Sequence, residues 1–151
     1  MGSSRRFSSI KISSAELLVS ASAMFSSTSG LLSKLKAELS LSRYVSRLFN
    51  IDLAGGAILD VGLYPVSFSR LIAGYVSGKK FLNPYKIEGT ATIGETGVDE
   101  ISYATLYFEN KIIANISTAI RKNMKNSAII KGTKGSITIT NPWVYDKESG
   151  F

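Results

Sequence analysis

The chain has 151 residues, enough for one domain with a hydrophobic core and too few for two full domains. Its composition, 44% hydrophobic and 19% charged, is typical of a globular protein and excludes general disorder. The net charge of +7 includes a group of basic residues in the last third of the chain, namely Arg121, Lys122, Lys125, Lys131 and Lys134. A basic patch can bind nucleic acid, but no aromatic signature or recognition helix accompanies this one. We therefore expect solvated loops and no nucleic-acid partner.

Two chemically versatile residue types, cysteine and histidine, are absent from the sequence. Their absence excludes disulfides, cysteine nucleophiles, serine–histidine triads and zinc sites built on thiolate or imidazole, so no metal centre is expected. Proton transfer near neutral pH must therefore use Asp, Glu, Lys or Tyr. No segment approaches the ~18 consecutive apolar residues of a membrane span, so we expect a soluble chain without a membrane partner.

The N-terminal region has an unusual composition, since the first 42 residues contain 14 serines, five basic residues and two acids. We expect residues 1–29 to be a divergent or leader segment and residues 30–151 to form the domain proper. A Ser- and Arg-rich start is also typical of an organelle transit peptide. We expect a cytoplasmic location, with organelle targeting as the alternative. Apolar residues from Ala15 to Leu32 predict a single helix of poor periodicity.

The pattern changes to strand-like and then helix-like in the middle of the chain. From Leu35 to Leu41 apolar and polar residues alternate, which predicts a strand with one buried face. Residues Ala57 to Ala73 form an apolar run at helical spacing, and Gly74 marks the expected helix end. Pro65 lies inside this run, so we expect either a kink or a helix that begins near Tyr64.

Short β-rich segments separated by turn sequences fill the second half of the chain. They are Lys86–Ile93, Glu100–Phe108, Ile112–Ile120, Ser127–Ile130 and Ser136–Thr140. Their short connections favour pairing of neighbouring strands in sequence order. The predicted fold class is therefore α+β, with an open, mostly antiparallel sheet and a helix packed on one of its faces.

A pair of glycines, Gly55 and Gly56, precedes the predicted helix that carries Asp60 and Tyr64, which are four residues apart. On one helix these two side chains share a face, and an acid beside a phenol is suited to handling a proton. A phenol with a reference pKa near ~10 needs a hydrogen-bond partner or a cation for that task. By spacing alone the commoner arrangement is favoured, in which Asp60 caps a helix and Tyr64 simply packs.

Four segments, taken in order, resemble the Gfo/Idh/MocA family of glucose–fructose oxidoreductase, inositol dehydrogenase and dihydrodiol dehydrogenase. They are RLFNxxLxGGAxLDVGxYP at 47–65, TGVDE at 96–100, LYFENKIIANIS at 106–117 and IIKGTKGSITITNPW at 129–143. The likeness covers about residues 30–151 in the family's order and spacing. Any one segment would be weak evidence, whereas the ordered set is specific.

The resemblance implies both a fold and an activity. Family members have an N-terminal Rossmann domain and a C-terminal open sheet, and they transfer hydride between NAD(P) and a sugar, inositol, diol or related carbonyl compound. By this match Asp60 orients or polarises the reacting hydroxyl, and Tyr64 donates or accepts its proton. Arg47, Gly55 and Gly56 are expected to contact the substrate. Since inositol-dehydrogenase-like members commonly carry His at the position of Tyr64, the chain sides with the dihydrodiol dehydrogenase and glucose–fructose oxidoreductase branch.

Parts of the family pattern have no counterpart in this sequence. No two glycines are separated by a single residue, so the GxGxxG turn of a dinucleotide site is absent, as is the family's EKP segment. Relatives also continue with a further strand and helix beyond the position of Trp143. We therefore expect that the Rossmann domain is absent and that the sheet domain is truncated at its C-terminal end.

Two functions follow as expectations. The first is a partial NAD(P)-dependent oxidoreductase acting on a small carbohydrate, diol or related compound, inactive by itself and binding no cofactor by itself. The second is a non-catalytic interaction module, because in this family the sheet face commonly forms a homodimer.

Overall fold

The computed structural model describes residues 15–22 and 42–143. Within these residues six strands form one sheet: β1 (Ala15–Ser22), β2 (Lys86–Ile93), β3 (Asp99–Phe108), β4 (Ile112–Ala119), β5 (Ser127–Gly132) and β6 (Gly135–Thr140). The helical segments are α1 (residues 42–48), a 3-10 turn (Ile51–Leu53), α2 (Ala57–Asp60) and α3 (Leu63–Val76). The predicted α+β class, with a mostly antiparallel sheet and a helix on one face, is confirmed.

The order of strands across the sheet is β2-β3-β4-β1-β5-β6. Every neighbouring pair is antiparallel except β1 and β4, which are parallel. Pairing in sequence order is confirmed for β2 to β4 and for β5 with β6, and it is wrong for β4 with β5. β1 lies between those two strands because its buried Leu17 pairs with Ala114 on one side and Ile130 on the other.

The helix predicted over residues 15–32 is wrong for residues 15–22, which form the strand β1. This strand lies inside the stretch assigned above to a leader or divergent segment, and it belongs to the same sheet as the rest. Its two adjacent leucines obscure the alternation in the sequence, since a strand in the middle of a sheet has little solvent-facing surface. The strand predicted over residues 35–41 lies outside the described residues.

The break expected near Pro65 is confirmed. α2 ends at Asp60, Val61 and Gly62 form a turn, and the two helical segments are bent by 47°. Pro65 stands in the first turn of α3, where no intrahelical partner is required for its nitrogen. The predicted end at Gly74 is two residues early, because Gly74 serves a close packing contact, and a Cβ there would lie 2.7 Å from Phe81 Cα.

The main core lies between α3 and the covered face of the sheet. It contains Leu17 and Val19 of β1, together with Leu106, Phe108, Ile112, Ala114, Ile116, Ala128 and Ile130 from the neighbouring strands. Burying each large aliphatic side chain contributes about 1.5–3 kcal/mol, so this layer holds the helix on the sheet.

A second, smaller cluster joins α1, α2 and one end of the sheet. Leu48, Ala57, Val98 and Ile120 are buried in it, with Tyr44 packed against them. This cluster sets the position of α1 against α2, where the predicted site residues lie.

In the described part of the chain no single helix is long and apolar enough to cross a membrane. One bent pair, Ile51–Asp60 with Leu63–Val76, passes the test by length and composition only.

Candidate active site

Asp60, the last residue of α2, is at the centre of a polar cluster. Its side chain is 10% exposed, and its two carboxylate oxygens accept hydrogen bonds from two residues of α1. Tyr44 Oη donates to Oδ2 at 2.6 Å, and Arg47 Nη2 donates to Oδ1. A carboxyl group that is this deeply placed needs such hydrogen-bond partners to offset its lost hydration. We call Tyr44, Arg47 and Asp60 the Asp60 cluster.

Helical spacing explains why both partners come from α1. Tyr44 and Arg47 are three residues apart, so their side chains lie on the same side of the helix. The Arg47 guanidinium carbon also lies 5.4 Å from the centre of the Tyr44 ring, a cation–π distance. Arg47 remains 40% exposed while Asp60 is covered. The cluster therefore presents a guanidinium at the surface, supported from beneath by a phenol and a carboxylate.

The pKa of Tyr44 depends on the neighbouring groups Asp60, Arg47 and Tyr64. Burial, the hydrogen bond to Asp60 and the charge of Asp60 together raise its pKa to about 12, although the Arg47 charge acts in the opposite direction. Tyr64 also acts on the pKa of Tyr44, which places the phenol of Tyr64 in the same electrostatic neighbourhood. Tyr44 is thus protonated, and a hydrogen-bond donor, throughout the physiological pH range.

The Gly-Gly pair is required by contacts within the chain. A Cβ on Gly55 would lie 2.4 Å from the carbonyl oxygen of Leu48, and one on Gly56 would lie 2.2 Å from Asp99 Oδ1. Gly56 also has φ +110°, a conformation that favours glycine. Its N–H bonds the Leu48 carbonyl at 2.9 Å, which ties the end of α1 to the start of α2. Contact of either glycine with a substrate stays a prediction.

Asp99, at the start of β3, holds the first turn of α2 from outside that helix. Its Oδ2 accepts the Ile58 N–H at 2.9 Å and the hydroxyl of Ser102. Gly56, the N-cap residue, has no side chain to provide this acceptor. Sequence reasoning gave Asp99 no role, although the TGVDE segment contains it. The signal was its place in that segment, and only the tertiary structure shows its partner.

Tyr64 lies in the first turn of α3 with 47% of its surface exposed. No hydrogen bond joins it to Asp60, since the two residues stand on separate helices on either side of the bend. Its ring packs against Trp143, with ring centres 5.9 Å apart and planes at 31°. Trp143 also meets Phe68 edge-on at 5.9 Å. Trp143 has no role in the sequence-based prediction. The turn after β6 brings its ring against Tyr64.

A pyrophosphate group would meet an occupied hydrogen-bond donor at the start of α2. Such a group normally sits on free N–H groups at a helix start, but the Ile58 N–H of α2 already donates to Asp99. The described residues also contain no group of three or more acidic side chains that could hold a metal ion. Arg47 and Tyr64 expose polar groups near the shielded carboxylate, and groups of this kind can donate hydrogen bonds to a polar molecule.

The sheet face opposite α3 is open and mixed in character. It presents exposed Tyr103 and Ile113 together with half-buried Leu18 and Ile129. Across its centre the Thr105 hydroxyl and Asn115 Oδ1 are 2.9 Å apart. A shallow concavity of about 580 Å³ lies over this face.

Comparison with known proteins identifies a related domain. Residues 37–138 match the model of the GFO/IDH/MocA C-terminal domain. Human trans-1,2-dihydrobenzene-1,2-diol dehydrogenase is 33% identical over 99 residues, which are 66% of this chain and 28% of that protein. The Xenopus tropicalis protein of the same name is 35% identical over 106 residues, 70% of this chain and 30% of the relative. The chain thus spans less than a third of the length of these relatives.

Solved structures show the same fold at low sequence identity. Aldose-aldose oxidoreductase from Caulobacter crescentus, complexed with glycerol, matches with a TM-score of 0.59 and 18% identity, over 90% of this chain and 35% of that one. Scyllo-inositol dehydrogenase from Lactobacillus casei, with bound NAD(H) and scyllo-inositol, matches with a TM-score of 0.53 and 16% identity, over 91% and 38%.

Proposed function

This chain belongs to the Gfo/Idh/MocA oxidoreductase family, as a C-terminal sheet domain, and we propose that it supplies the substrate side of an NAD(P)-dependent oxidoreductase site. The substrate class is a hydroxyl or carbonyl compound such as a diol or a small carbohydrate. The names of the relatives support this class, since they include a dihydrodiol dehydrogenase and an aldose-aldose oxidoreductase. Family members bind NAD(P), as the scyllo-inositol dehydrogenase illustrates.

The observation that carries the proposal is the exposure of Tyr64 next to the Asp60 cluster. Tyr64 is a phenol at the surface that packs against Trp143 and is close enough to Tyr44 to act on the pKa of Tyr44. A phenol at the surface can exchange a proton with the hydroxyl of a bound substrate. We assign Tyr64 the role of proton donor or acceptor towards the reacting hydroxyl.

The same geometry refines the role proposed for Asp60. Both of its oxygens already accept hydrogen bonds from within the chain, and its side chain is 10% exposed. Asp60 therefore orients the substrate chiefly through Arg47, whose guanidinium reaches the surface. Arg47 contacts the substrate through N–H groups that do not bond Asp60.

The direct test joins this chain to the cofactor-binding domain of a full-length family member. NAD- and NADP-dependent oxidation of trans-1,2-dihydrobenzene-1,2-diol and of aldoses is then assayed. We expect turnover of at least one of these compounds and a loss of about 10²–10⁴-fold in kcat for Tyr64→Phe. The matched control is Tyr75→Phe, a tyrosine of α3 that is 78% exposed and remote from the cluster. A folded fusion that binds cofactor but turns over none of these compounds would contradict the proposal.

A second proposed function, self-association, follows from the open sheet face. The face combines an exposed tyrosine and isoleucine with a central polar pair, a mixture typical of protein interfaces. A second copy is the proposed occupant, because two copies of one face related by a twofold axis are self-complementary. In this arrangement the sheet forms a homodimer, whether or not the chain takes part in catalysis.

Sedimentation at micromolar concentration tests the dimer. We expect a dimer for the unmodified chain, and Tyr103→Glu should weaken it about 30-fold or more, since it places a charge at the centre of the interface. Tyr75→Glu is the matched control, because Tyr75 lies on α3, on the other side of the sheet. A monomer at these concentrations, or equal effects of the two variants, would refute this interface. The cytoplasmic location stays a prediction.

A further inference from the structure

Tyr44 is the residue of the site for which no role has been assigned so far. It is the shared neighbour of the groups on which the proposed function depends. Its hydroxyl donates to Asp60 at 2.6 Å, its ring faces Arg47 at 5.4 Å, and Tyr64 lies within its electrostatic reach. Its ring also packs into the cluster that joins α1 to α2. The phenol is therefore fixed at its ring and directed at the carboxylate by its hydroxyl.

The carboxylate of Asp60 has two donors, and they perform different tasks. Arg47 is long, flexible and 40% exposed, so its hydrogen bond to Oδ1 does not by itself fix the carboxylate plane. The phenol of Tyr44 has few rotatable bonds, and its ring packs against the cluster that joins α1 to α2. With Oδ2 held by this hydroxyl, Oδ1 points in a constant direction towards the guanidinium.

We propose that Tyr44 is a positioning residue, which holds the Asp60 carboxylate so that Arg47 stands fixed at the surface for the substrate. A contribution of Tyr44 to catalysis rests on the proposed function. The immobilisation of Arg47 by Tyr44 does not, because it is a property of this chain alone. Without the Tyr44 hydroxyl, the Asp60 carboxylate can rotate and the Arg47 guanidinium moves with it. The exposed N–H groups of Arg47 are then no longer preorganised for the substrate.

The first measurement asks whether Tyr44 and Asp60 act on each other. Urea unfolding of the full chain is compared for the unmodified protein, Tyr44→Phe, Asp60→Ala and the double variant. We expect Tyr44→Phe to lower the folding equilibrium constant about tenfold in the unmodified protein and by less than about twofold when Asp60 is already Ala. Equal losses in both backgrounds would overturn the proposal. Tyr75→Phe should change nothing, since Tyr75 is 78% exposed.

The second measurement asks whether the Arg47 guanidinium is immobilised. A purely stabilising role of Tyr44 would not change the mobility of this group. In ¹⁵N NMR of the full chain, a guanidinium bound to a carboxylate rotates slowly about Nε–Cζ and gives separate Nη signals. The Arg47 signals are identified by their loss in Arg47→Lys. We expect them to be separate in the unmodified chain and in Tyr75→Phe, and to merge in Tyr44→Phe. Separate signals that persist in Tyr44→Phe, or merged signals in the unmodified chain, would overturn the proposal.

Neither measurement uses a cofactor or a turnover rate. A fusion without activity would therefore contradict the proposed function and leave these results intact, while a mobile Arg47 would contradict the positioning role only.

Discussion

Close contacts at single residues decide the geometry of the site. Asp60 is shielded because two side chains of α1 reach it. α1 is held in place because Gly55 lets its carbonyl groups approach and the Gly56 N–H bonds the Leu48 carbonyl. The glycines therefore influence the site indirectly, through the position of α1. Because they contact neighbouring groups so closely, a side chain at either position would disturb the site.

Replacing Gly56 by alanine tests this contact. We expect Gly56→Ala to destabilise the fold by about 3 kcal/mol or more, because the new Cβ would lie 2.2 Å from Asp99 Oδ1 at φ +110°. The control is Gly78→Ala, where φ is +69° and no atom lies within 4 Å, so about 1 kcal/mol of backbone strain is expected. Urea unfolding measures both. Similar losses at the two positions would show that the Asp99 contact is unimportant.

The high pKa of Tyr44 predicts a dependence of stability on pH. The folded chain holds the phenolic proton more tightly, since its pKa rises from 10.0 to about 12. The stabilisation is therefore complete below about pH 10 and is lost as the pH rises through 12. We expect the difference in unfolding free energy between the unmodified chain and Tyr44→Phe to be constant from pH 7 to 9 and to shrink from pH 10 to 12. A difference that stays constant to pH 12 would contradict this.

At the scale of elements, β1 is the piece that unites the two halves of the sheet. It pairs in parallel with β4 and antiparallel with β5, so neither of these strands has an open edge at the centre. Its alternate residues divide the two faces: Leu17 and Val19 face α3, and Leu18 faces the open side. The strand therefore belongs both to the core and to the proposed dimer face.

The adjacent leucines of β1 provide a matched pair of substitutions. Leu17→Ala should destabilise the fold by about 2–5 kcal/mol, because Leu17 is 0% exposed within the core. Leu18→Ala should cost about 1 kcal/mol, since Leu18 is only half-buried on the open face. Thermal or urea unfolding distinguishes them. Equal effects, or a larger loss for Leu18, would contradict the position of β1 in the sheet.

At the scale of the whole molecule, the proposed function assigns the described residues to the substrate side of an oxidoreductase site. They contain the acid, the phenol and the guanidinium, and the Ile58 N–H at the start of α2 already donates to Asp99. One basic residue of the loops, Arg121, is also engaged within the chain, since it pairs with Glu100 at 3.0 Å and covers Phe49.

Calorimetry of the chain with NAD(H) and NADP(H) checks this division of labour. We expect no binding at micromolar concentrations of the chain, because a dinucleotide would find the substrate side of a site without the turn that holds its phosphates. The fusion with a cofactor-binding domain serves as the positive control. Tight binding of either dinucleotide by the chain would contradict the assignment of its residues to the substrate side.

Much of the fold could be predicted from the sequence because its signals are local. β-rich composition between turn-like sequences predicted the strands from Lys86 to Thr140 to within two residues, and Pro65 predicted the break between α2 and α3. The ordered family segments predicted the family, because a set of short motifs in fixed order is specific even when each is weak. The candidate residues Arg47, Asp60 and Tyr64 came from the same segments.

Only the tertiary structure decided how these pieces meet. β1 was mistaken for a helix because a central strand is buried on one face and half-buried on the other, which removes the alternation that identifies a strand. Likewise, Asp60 and Tyr64 are four residues apart in the sequence, yet a bend separates them, and their partners Tyr44 and Trp143 lie far along the chain. Long-range contacts of this kind depend on packing between elements, which local sequence patterns do not specify.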